Sequence, residues 1–350
     1  MPPSVSIVIP VHNASRYLAA CLGSVSRMNP APLECIVVDD GSTDDSVAIA
    51  ERAGCRLIAS EQQRGPAVAR NLGARAARGE ILLFIDSDVL VPPGALDRIL
   101  ARFAEDAECA AVIGSYDAEP GSPDFISQYR NLLHRYIHQS SQTRTCTFWT
   151  ACGAIRAEVF REQGGFSEAY SRPSVEDMEL GLRLRQGGRE IWLDKDLCVK
   201  HLKKLGFPEI VKIDVLDRAI PWTMLILRFR SMPADLNLRW EQRASVLLVG
   251  VAASALGALP VAAAGVYPQA WPALAGATAL ALAWLAFLNR RFYRFLAQRK
   301  GRWFALRAFP LHAVHFLCAG LGFALGVLKY VAGSKAGAPA RQLASTKCGG

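Results

Sequence analysis

Two aspartates one residue apart, Asp86 and Asp88, end an apolar run, EILLFIDSD (80–88). Carboxylates at i and i+2, leaving a buried strand into a turn, can converge on one hard cation. Mg2+ or Mn2+ takes such oxygen ligands and keeps positions open for phosphate oxygens. A diphosphate leaving group needs that neutralisation. Surface turns contain many isolated DxD triplets; the five apolar residues before this one set it apart. VVDDGSTDDS offers a second acidic pair, Asp39 and Asp40, after another apolar run. A carboxylate there can accept from a base N–H or a ribose hydroxyl, while Ser42 or Asp44 can equally serve a helix-capping turn. GPAVARNLG (65–73) carries Arg70 on an otherwise small-residue helix. Its guanidinium suits phosphate or base contact, with a solvent-facing salt bridge as the plain alternative. VEDMELGLRLRQGG (175–188) opens with Glu176 and Asp177. The dipole at a helix start favours an ionised carboxylate, and an ionised Asp in a cleft can deprotonate an acceptor hydroxyl. Taken alone, the pair is simple helix capping. His201 follows the strand-like WLDKDLCVK; a lone His is most often structural, but neutral imidazole can complete a metal site.

Short β-rich runs alternate with helical stretches along the first 120 residues. Strands are expected at 6–11, 34–40, 55–59, 80–88 and 110–116. Helices are expected at 16–26, 44–53, 65–77 and 96–103, with a turn at 89–94. Such alternation implies parallel βαβ units and a sheet covered on both faces. Ligands of these sheets bind outside the carboxyl ends of the strands, where Asp39, Asp40, Asp86 and Asp88 fall. No GxGxxG opens the first helix, so a dinucleotide site is weakly supported; no GxxxxGK[ST] occurs, which excludes a P-loop.

The 350 residues divide sharply in charge. Residues 1–199 carry 20 Lys+Arg against 26 Asp+Glu, and residues 200–350 carry 20 against 5. The acidic front argues against nucleic acid as a partner, and the basic, apolar back suits a lipid bilayer with anionic headgroups. The nine cysteines form no CxxC pair and are odd in number, so reduced thiols are expected rather than a disulfide framework or a zinc knuckle. The stretch MPPSVSIVIPVHN lacks a basic n-region and Pro10 interrupts it, so no signal peptide is expected.

Between Arg243 and Arg290 there are 46 uncharged positions, and Ala308–Leu328 is uncharged again. A crossing needs about 20 residues. Three membrane helices follow, at about 244–264, 270–288 and 308–330, with a break near Gly265–Trp271. Residues 289–307 hold seven basic residues and no acid, and are expected to be a cytoplasmic loop. Two crossings separate that loop from the front domain, which puts residues 1–243 on the same side, at the inner membrane. Residues 206–243 suit an interfacial amphipathic segment broken near Pro221, or a helix packed on the front domain. Residues 333–350 are a polar tail.

In this order, SIVIPVHN, VVDDGSTDDS, GPAVARNLG, ILLFIDSD, CGAIRAEVFREQGGF, VEDMELGLRLRQGG and His201 resemble the family 2 glycosyltransferases of GT-A fold, over roughly residues 4–205. Each motif is weak alone; the ordered set is specific. The resemblance implies an inverting transfer from a UDP-, GDP- or dTDP-sugar with Mn2+ or Mg2+. It implies Pro10 and Asn13 lining the nucleotide pocket, and Asp40 on the base, helped by Arg70. Asp86 would face the ribose or a metal-bound water. The metal set would be Asp86, Asp88 and His201. Asp177, beside Glu176, would be the general base, with Trp149 and Gly153 near the transferred or accepting sugar. The QxxRW motif of the processive synthases is absent, and three crossings are few for a polymer channel, so transfer of a single sugar is expected. A membrane-associated, lipid-linked acceptor is favoured over a soluble one. A degenerate module that only binds a nucleotide sugar is disfavoured by the joint presence of Asp40, Asp86, Asp88 and Asp177. A transporter is disfavoured because only His312 and His315 are ionisable within the apolar spans.

Overall fold

The computed structural model describes residues 2–230, 239–264 and 268–334. The chain forms two compact units, one of residues 1–205 and one beginning at Gly206.

In the first unit the five expected strand runs and the strand-like run before His201 form strands, and three further strands, at 89–90, 144–145 and 152–156, join them. They are β1 (Val5–Val11), β2 (Glu34–Asp40), β3 (Arg56–Ser60), β4 (Ile81–Ile85), β5 (Val89–Leu90), β6 (Cys109–Tyr116), β7 (Arg144–Thr145), β8 (Cys152–Arg156) and β9 (Glu190–His201). The helices are α1 (Ser15–Val25), α2 (Ser46–Arg52), α3 (Pro66–Ala76), α4 (Ala95–Glu105), α5 (Phe125–Ser140), α6 (Ala157–Glu162) and α7 (Glu176–Gln186). The sheet runs β3-β2-β1-β4-β8-β6-β9-β5, with β7 paired to β9. Pairs β1/β2, β2/β3, β1/β4 and β6/β9 are parallel; β8 lies antiparallel between β4 and β6. Every residue of β4 and β6 is buried, as strands covered on both faces must be. Helix α4 covers one face by burying Ala95, Leu96, Ile99 and Phe103, the spacing of a single helical stripe. Asp124 caps α5 by accepting from the Ser127 amide at 3.0 Å.

One local departure bears on the site. Residues 89–94 read as a plain turn, but Val89 and Leu90 form β5, antiparallel to the end of β9, with Val89 opposite His201. A two-residue strand has too little periodicity to announce itself in sequence. All eight cysteines among the described residues are free thiols.

The second unit is helical: α8 (Phe207–Lys212), a π-helical stretch (Ile213–Ala219), α9 (Ile220–Phe229), α10 (Trp240–Ala263), α11 (Trp271–Leu288), α12 (Arg290–Lys300) and α13 (Arg302–Ser334). Trp240–Pro260, Trp271–Leu288 and Arg302–Gly333 are long and apolar enough to cross a membrane. Two expectations are corrected. The 289–307 stretch is not a loop: it is α12 plus the first turn of α13, because RRFYRFLAQRK buries Phe292 and Leu296 on one stripe and exposes its arginines on the other. The third apolar helix therefore starts at Arg302 rather than near 308. The 206–230 helix is also not broken at Pro221. Pro221 lies in the first turn of α9, where hydrogen bonding changes from π to α register and its missing N–H costs little. Residues 231–238, 265–267 and 335–350, including most of the 265–271 break and nearly all of the tail, lie outside the described residues.

Several polar groups inside this unit pair with one another. Asn289 donates to Ser245 Oγ at 2.9 Å, Tyr293 and His312 meet at 3.0 Å, and His315 Nδ1 lies 2.7 Å from Asp214 Oδ2. Small residues let α13 pack closely: a Cβ on Gly326 would sit 2.7 Å from Thr223 Cβ, and one on Gly322 would collide with Ala219.

Candidate active site

The acidic residues leave the sheet at the carboxyl ends of β2 and β4, two strand spacings apart across β1, or roughly 10 Å. On β2, Asp40 is buried and its two oxygens accept from the amides of Arg64 and Gly65 at 2.8 and 2.7 Å. Asp39 accepts from the Ser42 amide at 3.1 Å. On β1, Pro10 is half-buried. Beyond it Asn13, in the left-handed region at φ 50°, ties two loops together: its Oδ1 accepts from the Thr43 amide at 2.8 Å, and its own amide donates to Ser42 Oγ at 2.9 Å. Asp44 anchors the same rim by accepting from the amides of Ser15 and Ser46 and from the Ser46 hydroxyl.

Beyond β4, Asp86, Asp88, Glu176, Arg70 and His201 form one cluster. Arg70 is buried and spans two acids: Nη1 donates to Glu176 Oε1 and Nη2 to Asp86 Oδ1, each at 2.8 Å. This corrects the expectation that Arg70 assists Asp40 at a base. Its guanidinium is committed to the β4 and α7 side, because helix α3 turns that face toward α7, and Asp40 is satisfied by backbone amides instead. Burial pushes the Asp86 carboxyl up; Arg70 opposes this, the charges of Asp88 and Glu176 add to it, and the net position is above the ordinary range. Burial also pushes Asp88 up, but His201 and the charge of Lys203 outweigh it, leaving Asp88 below the ordinary range. The Arg70 guanidinium is held charged: burial works against it, and Asp86 and Glu176 overcome burial.

Asp88 Oδ2 lies 3.6 Å from His201 Nε2. The β5/β9 pairing makes this contact, with the Leu202 amide donating to the Asp88 carbonyl at 2.8 Å. No group of three or more His, Cys, Asp or Glu is assembled as a metal site among the described residues. The pair Asp88 and His201, with the unpaired oxygen of Asp86 nearby, still fits an open Mn2+ or Mg2+ site, where one or two protein ligands are completed by phosphate oxygens and water. A full protein cage would leave no room for them.

Asp177 lies in the first turn of α7. Its Oδ1 accepts from the Met178 amide at 2.8 Å, and its Oδ2 is 3.5 Å from the Thr150 amide. It follows Glu176, which pairs with Arg70, and its charge acts on that guanidinium. Trp149, next to Thr150, packs edge-on against Tyr116, with ring centres 4.8 Å apart, and Tyr116 in turn lies 4.9 Å from the His201 ring. Gly153 has a packing role. It is buried within β8, where a Cβ would strike the Trp149 carbonyl and come within 2.8 Å of the Phe148 ring. Its part is to let the 148–149 turn cross the strand. Gly181 does the same from α7, where a Cβ would lie 2.5 Å from the Phe148 amide nitrogen.

Three residues at the site escape a reading of the sequence. Tyr116 reads only as the end of a strand, Lys203 as one of several basic residues, and Asn71 as a neighbour of Arg70. Only the ARN triplet itself hints at Asn71.

Residues 6–164 match the family described as Glycosyl transferase family 2. A validoxylamine A glucosyltransferase from Streptomyces hygroscopicus subsp. limoneus is 29% identical over 232 residues, covering 54% of this chain and 51% of that protein. A chondroitin synthase from Escherichia coli is 36% identical over 218 residues, covering 61% of this chain and 31% of that one. The chain thus spans about half the length, or less, of these relatives. Among solved structures, a mannosyltransferase from Pyrobaculum calidifontis, in complex with GDP-Man and Mn2+, is 22% identical with a TM-score of 0.53, covering 93% of this chain and 88% of that chain. At that identity the likeness is one of fold. With the motif order of residues 4–205 and the mixed sheet carrying its acids at the strand ends, these matches support a family 2 glycosyltransferase domain of GT-A fold in the first unit, its family match lying over residues 6–164.

Proposed function

We propose that the protein transfers a single sugar, with inversion, from a nucleoside diphosphate sugar (UDP-sugar favoured) to a membrane-associated, lipid-linked acceptor. The observation that carries the reading is that, beyond the end of β4, Arg70 joins Asp86 to Glu176, the residue before Asp177 on α7, while Asp88 meets His201. The acceptor side rests on continuity of the chain, which runs from the catalytic unit into helices long enough to cross a bilayer.

In this reading Asp40, Asn13 and Pro10 border the nucleotide's base and ribose, and Trp149 borders the sugars. Asp88 and His201, with Asp86 beside them, would hold Mn2+ or Mg2+; bound there, such an ion neutralises the diphosphate. Asp177 removes the proton from the acceptor hydroxyl as that oxygen attacks the anomeric carbon from the face opposite the diphosphate. Lys203 adds positive charge beside Asp88, where the leaving group accumulates negative charge. Glu176, neutralised by Arg70, holds the start of α7 and with it the base. If the acceptor is a lipid phosphate, it needs no base, and Asp177 instead orients it.

Nucleotide-sugar turnover in wild type, Asp177→Asn and Asp88→Ala tests the chemistry. Loss of turnover in both variants is expected; full activity in both would remove Asp177 and Asp88 from the chemistry, and no turnover in wild type would leave a binding module. A thermal-shift screen of nucleotide sugars with and without Mn2+ identifies the donor. Comparing a long-chain lipid acceptor with its short-chain soluble analogue tests the acceptor, and equal rates would overturn the lipid-linked reading.

A further inference from the structure

Helix α3 carries a second device beside Arg70. Asn71 is buried, and its side-chain amide pairs with the backbone of Phe166 as a neighbouring strand would. Its Nδ2 donates to the Phe166 carbonyl at 2.9 Å, and its Oδ1 accepts from the Phe166 amide at 2.9 Å. The second Nδ2 proton reaches Glu168 Oε1 at 3.0 Å. Gly165 comes so close that a Cβ would lie 2.6 Å from Asn71 Oδ1. At the start of α3, Gly65 backs onto Ser171, whose carbonyl would lie 2.6 Å from a Cβ; the glycine's φ of 98° already excludes most side chains. Arg70 closes the same side through Glu176. Gly65, Arg70 and Asn71 therefore grip the 165–176 segment at three points. That segment contains neither helix nor strand until α7 begins, and α7 delivers Asp177. The start of α3 is also held by Asp40, through the amides of Arg64 and Gly65, so one helix touches Asp40 at its start and the 165–176 segment at Arg70 and Asn71.

We propose that α3 ties the nucleotide end of the site to the acceptor end, and that Asn71 is a positioning residue. By pairing with both backbone groups of Phe166 it fixes the 165–176 segment, and through that segment the place of Asp177. The proposal rests on the reading of Asp177 as the base. Asn71 touches neither donor nor acceptor; its effect on the rate passes through Asp177. A bidentate amide suits this task, because it fixes both position and rotation of one peptide unit, and misplacing a reacting group by about 1 Å costs roughly a hundredfold in rate.

The test uses the full chain in lipid nanodiscs, with Asn71→Ala and, should that variant fold poorly, Asn71→Asp. The latter is isosteric and keeps the acceptor for the Phe166 amide while losing both donors. The Kd of the nucleoside diphosphate picked out by the thermal-shift screen is measured with Mn2+, beside kcat and amide hydrogen exchange. The expected result is a Kd within about twofold of wild type with kcat down roughly ten- to a hundredfold. Exchange is faster over 165–178 and unchanged over 34–42 and 81–89. In an Asp177→Asn background, adding Asn71→Ala lowers the residual rate by no more than about twofold, as expected for residues acting through one another. Unchanged exchange at 165–178, an unchanged kcat, or Kd and kcat failing together would each overturn the proposal, as would full additivity with Asp177→Asn. An Asp177→Asn enzyme at the wild-type rate would sink the base assignment on its own, while the exchange result still reports whether Asn71 holds the segment.

Discussion

Arg70 Nη1 and Glu176 Oε1 meet at 2.8 Å with side chains only 6% and 5% exposed, 106 residues apart in the chain. The other arm of the same guanidinium holds Asp86 at 2.8 Å. One buried cation thus joins the strand that carries the DxD acids to the helix that carries the ED pair. Its removal leaves Glu176 buried without its cationic partner, with only the Ser174 amide on its other oxygen.

Arg70→Ala should destabilise the catalytic unit by about 3–5 kcal/mol, the cost of breaking a buried ion pair from one side. Arg70→Lys keeps the charge but lacks the fork that reaches two carboxylates, and should lose less stability while still losing most activity. Denaturant unfolding of the two variants beside wild type checks the order. Equal stability of Arg70→Ala and wild type would contradict it.

The rim formed by Asn13, Ser15 and Asp44 should weaken in acid. Burial raises the Asp44 carboxyl, but the Ser46 hydroxyl and the Ser15 amide outweigh it, bringing it down to about 2. Its folded value is below its unfolded value, about 3.9. Its stabilisation is therefore complete above about pH 4 and is lost as pH falls from there through about 2. Asp44→Ala should melt below wild type at pH 7, with the gap closing as the pH is taken towards 2. A gap that stays constant with pH would show that the carboxylate is not its source.

Gly153→Ala and Gly181→Ala should both shift the 146–150 turn, since the new methyl meets the Trp149 carbonyl and the Phe148 ring in the first and backbone alone in the second. Overpacking of this kind costs about 1–3 kcal/mol. Both variants should lose transfer activity by displacing Trp149 and Thr150, and a perturbed tryptophan emission is the accompanying signature. Wild-type activity in either would mean the turn tolerates the shift.

His201→Ala should raise the Mn2+ concentration needed for half-maximal turnover by at least roughly tenfold, the lower bound for losing even an outer partner of a metal. Turnover at saturating Mn2+ should recover in large part, because Asp88 and the donor's phosphates remain. A metal requirement identical to wild type would remove His201 from the site.

In the helical unit, Gly326→Leu should destabilise more than His315→Phe. A leucine at 326 has no room beside Thr223 and the Ile220 carbonyl. The His315–Asp214 pair is a polar contact of the kind worth about 0.6 kcal/mol on average between membrane helices. Thermal unfolding in one detergent ranks the two variants, and the reverse order would contradict close helix packing as the main support.

The sequence alone determined the main strands of the front half, the acids that follow them, and which helices would be long and apolar enough to cross a membrane. Periodicity and composition are local properties, and ILLFI, VVDD and the uncharged runs declare themselves within a few residues. The ordered motifs determined the family. Tertiary structure decided the rest, because it depends on partners far apart in the chain. Whether Arg70 faces a base or two carboxylates is set by how α3 packs against α7. Whether His201 stands near Asp88 is set by a two-residue strand pairing with the end of β9, too short to leave a pattern. Gly153 looks like a lining residue by motif, and the turn stacked above it gives it a packing role. Asn71 shows no chemistry by type; only the Phe166 backbone, 95 residues away, makes it a clamp. A side chain's type is written in the sequence, but the direction it faces is fixed by packing that the chain reaches only when folded.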